Sequence, residues 1–299
     1  MKKLIYRGQL FGFLVLCLIA GLVQATTRIA YADDLTVTII VGNEIIEYND
    51  PSNSLIISMP VSLSAGSSIH GSVATINDVT GNRVLPFSIY RNGEVNFITP
   101  RAGTYGVINN TNTFSDTAGH WAENNIIFTS ARELFSGVGG GMFNPNAPMT
   151  RAMFVQVLAN IEGADLSTYN SSSFTDVSVN AWYMSAIEWA AESGLSTGVG
   201  DGRFAPEANI TREQMARMLI NYIEYRQFSL PSNFAPAFND EVSINAWALD
   251  AVNTLQQAGI ISGRSGNIYD PQGIATRAEV ATVFAQFIAT YVNHMSAGN

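Results

Sequence analysis

Apolar side chains recur at helical spacing three times in the second half of the chain. Counted from Arg151, Arg212 and Arg277, the residues at +3, +7 and +10 are apolar or aromatic. Steps of three and four residues place these positions on one face of a helix. Because such a stripe is bare in an isolated helix, we expect the three helices to pack together. The stripes are Phe154, Leu158 and Ile161; Met215, Leu219 and Tyr222; and Val280, Phe284 and Phe287.

A shorter helix is predicted before each stripe, and it begins near a tryptophan. In the middle segment Trp182, Ala186, Trp189, Ala190 and Ser193 lie near one face at steps of three and four. A glycine and a proline then bound a turn-rich stretch before the stripe begins. Each unit is therefore predicted to be helix, loop and helix.

The same residue types recur at fixed offsets from Trp121, Trp182 and Trp247, which lie 61 and 65 residues apart. A glycine lies at +16, an aromatic residue at +22, a proline at +24 and a Thr-Arg pair at +29 and +30, and a Phe-x-Asp sequence precedes each tryptophan. Chance does not align so many residue types three times, so the chain contains an internal repeat. The predicted repeats one, two and three are residues 114–162, 174–226 and 238–292.

These residues resemble the S-layer homology family. The match rests on Phe174-Thr-Asp176, on Trp182, on the loop at 198–206 and on Thr276-Arg-Ala-Glu279, and it extends over about residues 114–292. The resemblance implies three helix-loop-helix modules arranged with pseudo-threefold symmetry around a central helical bundle, so that the fold is mainly α. It also implies ligand grooves between neighbouring modules. The usual ligand is a secondary cell wall polymer, often with a pyruvate ketal on N-acetylmannosamine.

Each repeat has an arginine at the first position of its second helix, where the positive end of the helix dipole disfavours a cation. A guanidinium at a helix N-terminus makes an anion site, and the family's arginine contacts ligand, so we expect these residues to bind the ketal carboxylate. The arginines are Arg151, Arg212 and Arg277. The alternative is a structural ion pair with the aspartate of the same repeat. These aspartates are Asp116, Asp176 and Asp240.

The tryptophans and the glycines at +16 complete the candidate glycan site, and each has two interpretations. The resemblance puts the tryptophan at the groove, where its face can stack on a sugar ring, but it also starts an apolar helix and could be core. The glycines fit a turn-rich loop, and their missing side chain could let the polymer approach the backbone. The residues are Trp121, Trp182 and Trp247 and Gly137, Gly198 and Gly263.

The three repeats are not equivalent in sequence. The threonine before each arginine is predicted to cap the helix, and Gln214 and Glu279 complete a capping box in repeats two and three. Repeat one has Met153 at that position, and it has Glu133 where the others have Gly194 and Gly259. A carboxylate at Glu133 would oppose an acidic ligand. We therefore expect repeats two and three to bind and repeat one to serve more as scaffold.

Residues 33–113 differ from the repeats because they are rich in β-branched residues and carry turn sequences at Gly42-Asn43 and Arg91-Asn-Gly-Glu94. They predict a small antiparallel β-sandwich-like domain, followed by an Asn- and Thr-rich linker at 109–113. The predicted strands are residues 36–41, 45–48, 55–59, 72–76, 84–90, 94–98 and 104–108.

Residues 1–32 have the layout of a secretory signal peptide. Basic residues precede an apolar run from Leu10 to Val23, and Ala30-Tyr31-Ala32 offers a cleavage site. The alternative is a retained membrane anchor, but the run is short for a span, which needs about 20 apolar residues. Leu16 before Cys17 does not fit a lipoprotein signal.

Cleavage would change the charge of the chain. It removes four of the 15 basic residues and no acid, which leaves 11 arginines, no lysine, no cysteine and 24 acids, a net charge of −13. Hydrophobic residues make up 47% and charged residues 13% of the chain, as expected for a globular protein. The negative charge disfavours nucleic acid and anionic lipid as partners. After cleavage no membrane contact is expected.

These observations favour non-covalent anchoring of an exported protein to the bacterial cell wall, through a secondary cell wall polymer or another peptidoglycan-linked glycan. Self-assembly on the cell surface is a further possibility. The alternative is an exported carbohydrate-active enzyme or adhesin whose activity lies in the β-rich domain. His70, His120 and His294 are the only histidines, and no metal or nucleophile motif accompanies them. We therefore expect no catalytic residues, no metal and no cofactor.

Overall fold

A computed structural model describes residues 15–18, 23–29, 35–41, 44–46, 55–61, 63, 67–78, 81–99 and 103–297. The chain forms two compact units. Unit 1 is Met1–Asn112 with Ser130–Arg132 and Val292–Asn299. Unit 2 is Thr113–Thr129 with Glu133–Tyr291.

Unit 1 contains two antiparallel sheets, as the β-branched segments predict. The first has the order β1-β2-β3-β10-β6-β7, with β4 also paired to β3, and the second has the order β5-β9-β8. A turn of 3₁₀ helix at Ile69–Gly71 leads into β6. The strands are β1 Val15–Leu18, β2 Val23–Ile29, β3 Leu35–Val41, β4 Glu44–Ile46, β5 Leu55–Pro60, β6 Ser72–Asp78, β7 Gly81–Leu85, β8 Ser88–Arg91, β9 Glu94–Thr99 and β10 Gly103–Asn109.

Both sheets contribute to one core, which includes Ile57 of β5, Ile76 of β6, Phe97 of β9 and Tyr105 of β10. The hairpin predicted at Arg91-Asn-Gly-Glu94 is confirmed, because Arg91 and Glu94 pair across it. Asn92 and Gly93 have φ of 54° and 85°, the left-handed backbone that a two-residue hairpin turn requires. The turn predicted at Gly42-Asn43 lies outside the described residues.

The single strand predicted at 84–90 is wrong. The chain instead leaves β7 at Leu85 and enters β8 at Ser88, so that it passes from the first sheet to the second. Pro86 lies at the break, and a proline has no backbone N–H to donate to a strand pairing. β7 then pairs with β6, and β8 pairs with β9.

The predicted leader contains β1 and β2, which pair with each other, while β2 also pairs with β3. Cleavage before Asp33 stays a prediction. It would remove both strands from the first sheet and leave β3 paired with β4 and β10.

Unit 1 also includes Arg132, which is buried although arginine is rarely fully buried. Its guanidinium donates to the carbonyl oxygens of His70, Ser72 and Ser88. Burial lowers the pKa of Arg132 well below its usual value. The sequence offered no signal for this role, since the equivalent positions of repeats two and three are Ser193 and Ala258.

Unit 2 is helical, and each repeat contributes two α-helices. None of the helices in the described residues is long and apolar enough to cross a membrane. A turn of 3₁₀ helix at Glu241–Ser243 precedes α5. The helices are α1 Glu123–Ala131, α2 Arg151–Glu162, α3 Met184–Glu192, α4 Arg212–Tyr225, α5 Ala246–Gln257 and α6 Arg277–Ala297, the last of which ends in unit 1.

The predicted stripes are confirmed, because all of their side chains are buried, from Phe154 in α2 to Phe287 in α6. The predicted caps are also confirmed. Thr211 and Gln214 form a capping box at the start of α4. In α6 the Thr276 amide donates to Glu279 Oε2 and the Glu279 amide donates to Thr276 Oγ1, at 2.8 and 3.2 Å. α2 has only the bond to its Thr150 cap.

Glu133 is strained where the other repeats have glycine. Its φ is 60°, and the glycines Gly194 and Gly259 have φ of 72° and 73°. We expect Glu133→Gly to raise the free energy of unfolding of unit 2 by up to about 1 kcal/mol. The strain of an L-residue in the left-handed region is removed, and this gain outweighs the extra backbone entropy that a glycine loses on folding. Urea denaturation followed by tryptophan fluorescence measures this, since all four tryptophans lie in unit 2.

The matched control is Gly259→Ala, because a Cβ added at Gly259 meets nothing within 4 Å. Only the backbone conformation then changes, and stability should fall by about 1 kcal/mol. Equal stability of the Glu133 variant and the unmodified protein would contradict the assignment of strain.

Candidate functional site

The three repeats are joined by a closed cycle of backbone hydrogen bonds. The Met149 amide donates to the Ala275 carbonyl, the Ala275 amide to Ile210 and the Ile210 amide to Met149, at 2.9, 3.0 and 2.8 Å. Each of these buried residues lies just before the threonine that caps the second helix of its repeat. The starts of α2, α4 and α6 are therefore brought together.

The arginine that begins the second helix of each repeat reaches the loop of the next repeat, not its own. The Nε atom of Arg151 in repeat one donates to the Phe204 carbonyl in repeat two at 3.0 Å. The equivalent bonds run from Arg212 to Tyr269 in repeat three, at 2.7 Å, and from Arg277 to Phe143 in repeat one, at 2.9 Å. We name the resulting junctions one–two, two–three and three–one, giving first the repeat that supplies the arginine.

The arginines are enclosed at these junctions. Arg151, Arg212 and Arg277 expose 4%, 6% and 7% of their surface. The guanidinium carbon of each also lies over the ring of the aromatic residue whose carbonyl it binds, at 4.9, 4.9 and 4.4 Å from the ring centroid. Hydrogen bonding and cation–π contact thus fix the side chain in one position.

The alternative of an ion pair within one repeat is wrong for the described residues. The electrostatic neighbour of Arg151 is Asp176 of repeat two, and that of Arg277 is Asp116 of repeat one. Burial lowers the pKa of both arginines, and the aspartate of the next repeat opposes this effect. No carboxylate lies within ion-pair distance of either guanidinium in the described part of the chain.

The aspartates instead hold the loop of their own repeat. Each carboxylate accepts two backbone amides, from the loop aromatic residue and from the residue after it, at 2.7 to 2.8 Å. The second of these donors has a φ between 55° and 59°, so the aspartate stabilises a strained turn. Its donors are Asn144 for Asp116, Ala205 for Asp176 and Asp270 for Asp240.

The glycines at +16 have a packing role. Their Cβ direction points at the ring of the phenylalanine that opens the same repeat, so an added Cβ would clash at Gly137 and Gly198 and would be tight at Gly263. A Cβ built on Gly137, Gly198 or Gly263 would lie 2.8, 2.9 or 3.1 Å from Cε1 of Phe114, Phe174 or Phe238 respectively. Contact of these glycines with polymer stays a prediction.

The tryptophans Trp121, Trp182 and Trp247 lie on the surface, with 64%, 63% and 49% of their area exposed. They are therefore not core residues. Trp189, which lies within α3, is by contrast buried. The Trp121 ring contacts the His120 ring at a centroid distance of 5.4 Å. Three exposed indoles at the same place in three repeats are available to a ligand.

The junctions differ at the residue three positions after the capping threonine. We call it the fourth signature position, because the threonine and the arginine are the first two residues of a four-residue segment such as Thr276-Arg-Ala-Glu279. Glu279 of repeat three lies 3.4 Å from Arg212 Nη1 and 3.0 Å from Arg264 Nη2, so junction two–three contains a charged network. Arg264 also contacts Asp270. Hydrogen bonds and the two arginines outweigh burial and hold the pKa of Glu279 below its usual value, although burial is the largest effect and raises it. The sequence analysis missed Arg264.

Glu213 is a second feature of junction two–three that the sequence analysis missed. This buried carboxylate accepts the Asn245 amide and side chain at 3.1 and 2.7 Å, and the Gln272 side chain at 2.7 Å. Ala152 and Ala278 occupy the equivalent positions. An acid directly after the arginine in one repeat alone was the available signal.

The described residues contain no group of three or more His, Cys, Asp or Glu side chains that could hold a metal ion. The chemistry available at the junctions is therefore that of guanidinium groups, carboxylates, amides and exposed indoles.

Comparison with known proteins points to one family. The model of the S-layer homology domain matches residues 113–153, 173–216 and 237–281. Exoglucanase XynX of Acetivibrio thermocellus is 34% identical over 60% of this chain and 16% of its own length. Amylopullulanase of Thermoanaerobacterium thermosulfurigenes is 32% identical over 64% and 10%. The S-layer protein sap of Bacillus anthracis is 32% identical over 59% and 21%.

The chain thus spans only 16%, 10% and 21% of the length of these relatives. These relatives share one segment with this chain, and their names describe proteins that are much longer.

We expect Asp176→Asn to lower the free energy of unfolding of unit 2 by about 1–2 kcal/mol at pH 7, because one loop amide loses its acceptor at a partly solvated site. Desolvation raises the pKa of Asp176, but the amides of Phe204 and Ala205 outweigh it and hold the pKa below its usual value. The carboxylate therefore stabilises the fold above about pH 4, the unfolded value. This contribution is lost as the pH falls through the folded pKa.

Urea denaturation over a series of pH values tests this. The stability difference between the protein and the variant should shrink below about pH 4. Asp201→Asn is the control, because the Asp201 side chain is 91% exposed and binds no loop amide in the described structure. A difference that does not change with pH would contradict the role of the charge.

Proposed function

Because the chain carries three tandem S-layer homology domains, we propose that it anchors an exported protein non-covalently to the bacterial cell wall. The domains make the chain a cell-surface protein, in keeping with relatives that include S-layer proteins. The anchoring ligand in this proposal is a secondary cell wall polymer, bound at the junctions between the domains. We do not assign an enzymatic activity to the chain.

The proposal includes a pseudo-threefold arrangement of the three repeats around a central bundle of α2, α4 and α6. The backbone cycle at Met149, Ile210 and Ala275 supports it, because the bonds return to the first repeat after three steps. Ring contacts between second helices support it as well. Phe154 lies 5.6 Å from Phe284, and Tyr222 lies 6.2 Å from Phe287, between centroids.

The observation that carries the ligand proposal is the matched set of exposed tryptophans. A buried indole would stabilise the fold more than an exposed one, so three exposed copies at one repeat position favour a binding role. Indole faces are suited to the apolar faces of sugar rings. The buried arginines at the junctions supply positive charge for an acidic glycan, such as one with pyruvate ketals.

Several sites on one chain suit a polymeric ligand. A repeating glycan that occupies one junction places further repeat units near the others, and effective concentration then raises the overall affinity. Modest affinity at each junction is therefore compatible with firm attachment to the wall.

The second candidate function is an enzymatic or adhesive activity in the β-rich unit 1. Relatives named exoglucanase and amylopullulanase show that the shared segment occurs in proteins named for glycan hydrolysis. Release of reducing sugars from purified wall glycans by the protein would support this function in place of simple anchoring.

We expect the purified protein to co-sediment with cell wall sacculi and to remain in solution when the polymer has first been stripped from them by acid. The reason is that the polymer, and not the peptidoglycan mesh, carries the acidic sugars that the junctions suit. Sedimentation followed by quantification of the pellet measures this. Equal binding to stripped sacculi would contradict the proposed ligand.

Truncation of the exposed indoles should separate binding from folding. Trp121→Ala, Trp182→Ala and Trp247→Ala should each leave the melting temperature within a few degrees of the unmodified protein, because surface changes usually alter stability by less than about 0.5 kcal/mol. At least one should weaken binding to sacculi about tenfold, the value of a lost stacking contact of about 1.4 kcal/mol. The control is Trp189→Phe, which changes a buried indole and should lower stability with little effect on binding.

A further inference from the structure

The three arginines differ in how many of their N–H donors are already bound within the protein. All three use Nε on a loop carbonyl. Arg212 also donates from Nη2 to the Ser262 carbonyl at 3.1 Å and from Nη1 to Glu279 at 3.4 Å. Arg277 donates from Nη2 to the Ser136 carbonyl at 2.9 Å. Within the described residues no acceptor is bound to its Nη1.

Arg151 has the most donor capacity left. It is 4% exposed, and its Nη2 is enclosed without a hydrogen-bond partner among the described residues. Neither of its two terminal nitrogens is bound to a carboxylate there. An enclosed guanidinium with a free terminal edge is unfavourable until an acceptor reaches it. A carboxylate is the acceptor that fits, because its two oxygens match the two terminal nitrogens of arginine.

Junction two–three already contains its own carboxylates. Glu279 binds Arg212 and Arg264, and Asp270 binds Arg264, so two positive and two negative charges face each other there. The Asp240 carboxylate is bound to two loop amides, as Asp116 and Asp176 are at the other junctions. The aspartates are thus a common feature. Junction two–three differs by Glu279, Glu213 and Arg264, and of its two glutamates Glu279 is the one that contacts the junction arginine.

We propose that the residue at the fourth signature position decides which junctions accept an anionic glycan. Glu279 occupies the arginine of junction two–three, so this junction disfavours an acidic sugar. Gln214 at junction one–two and Met153 at junction three–one carry no charge, so Arg151 and Arg277 remain available to a ligand carboxylate. Arg151 is the strongest site by the number of its free donors.

This order reverses the expectation that repeat one is scaffold. Repeat one supplies Arg151 to junction one–two and the Phe143 loop with Met153 to junction three–one, so it takes part in both anion sites. Met153 costs repeat one its capping box, and it carries no charge at the position equivalent to Glu279. The inference rests on the proposed function, because it concerns the same junctions.

The matched variants exchange a charged and a neutral residue at the fourth signature position. Glu279→Gln removes the charge but keeps a residue that forms a capping box at the same position of α4. Gln214→Glu does the reverse at junction one–two, and Met153→Glu does so at junction three–one. The probe is the methyl glycoside of N-acetylmannosamine with a pyruvate ketal, and the same glycoside without the ketal is the neutral control. Isothermal titration of the full chain gives affinity and stoichiometry.

We expect Gln214→Glu to weaken the tightest binding of the ketal probe about tenfold or more, the effect of one lost charge-assisted hydrogen bond. Met153→Glu should weaken the second site. Glu279→Gln should add a site or tighten the weakest one, and the double variant Glu279→Gln with Gln214→Glu should bind about as much probe as the unmodified protein. Affinity for the neutral glycoside should stay the same in all four proteins, which excludes loss of folding as the cause.

Unchanged binding of the ketal probe by Gln214→Glu and Glu279→Gln would overturn the inference while leaving the proposed function intact. A loss of ketal binding in Glu279→Gln would overturn it as well, since Glu279 would then be a ligand contact. Absence of any binding to the unmodified protein, of probe and of sacculi alike, would instead refute the proposed function. Melting temperatures measured on the same samples confirm that each variant is folded.

Discussion

The arginine that crosses from each repeat to the next is the interaction on which the helical unit depends. An arginine at the first turn of a helix loses about 0.3–1 kcal/mol to the helix dipole. A charge-assisted hydrogen bond gains about 1.5–3 kcal/mol, and Arg151, Arg212 and Arg277 each make at least one with the next loop, besides a cation–π contact. These contacts oppose the unfavourable effects of the helix dipole and of burial, so the cation is accommodated where helix electrostatics alone would choose an acid.

Most of the recurring residues position the loop that accepts the arginine. The carbonyl that accepts Arg151 belongs to Phe204, whose amide is held by Asp176, and the loop approaches closely because Gly198 leaves room for Phe174. Removal of any one of these parts would move the acceptor. The tryptophans are the exception, because they contribute little to this scaffold and remain exposed. Their exposure supports the binding role that we propose for them.

The sequence predicted local structure well and contacts between repeats poorly, for a physical reason. Periodicity and capping chemistry are local, so the stripe ending in Phe287 and the capping boxes of Gln214 and Glu279 were predicted and are present. The partner of an arginine is not local, and an Asp-Arg pair within one repeat was as reasonable as a contact with the next. Arg132 and Glu213 lie outside the repeated pattern, so a search for repetition passes over them, although an acid directly after Arg212 was a signal for Glu213. The break at Pro86 had a local signal in the proline itself.

The fourth signature position is one of the places where the three repeats differ in charge, because repeat three has Glu279 where the others have Gln214 and Met153. An internal carboxylate and a ligand carboxylate compete for the same guanidinium, and the internal one has the advantage of being tethered. A glutamate there contacts Arg212 and Arg264, whereas glutamine or methionine supplies no charge to the junction. Stability and anion affinity are therefore alternatives at each junction. In the proposed scheme, one neutralised junction contributes to a firm scaffold and the two others provide sites for an acidic polymer.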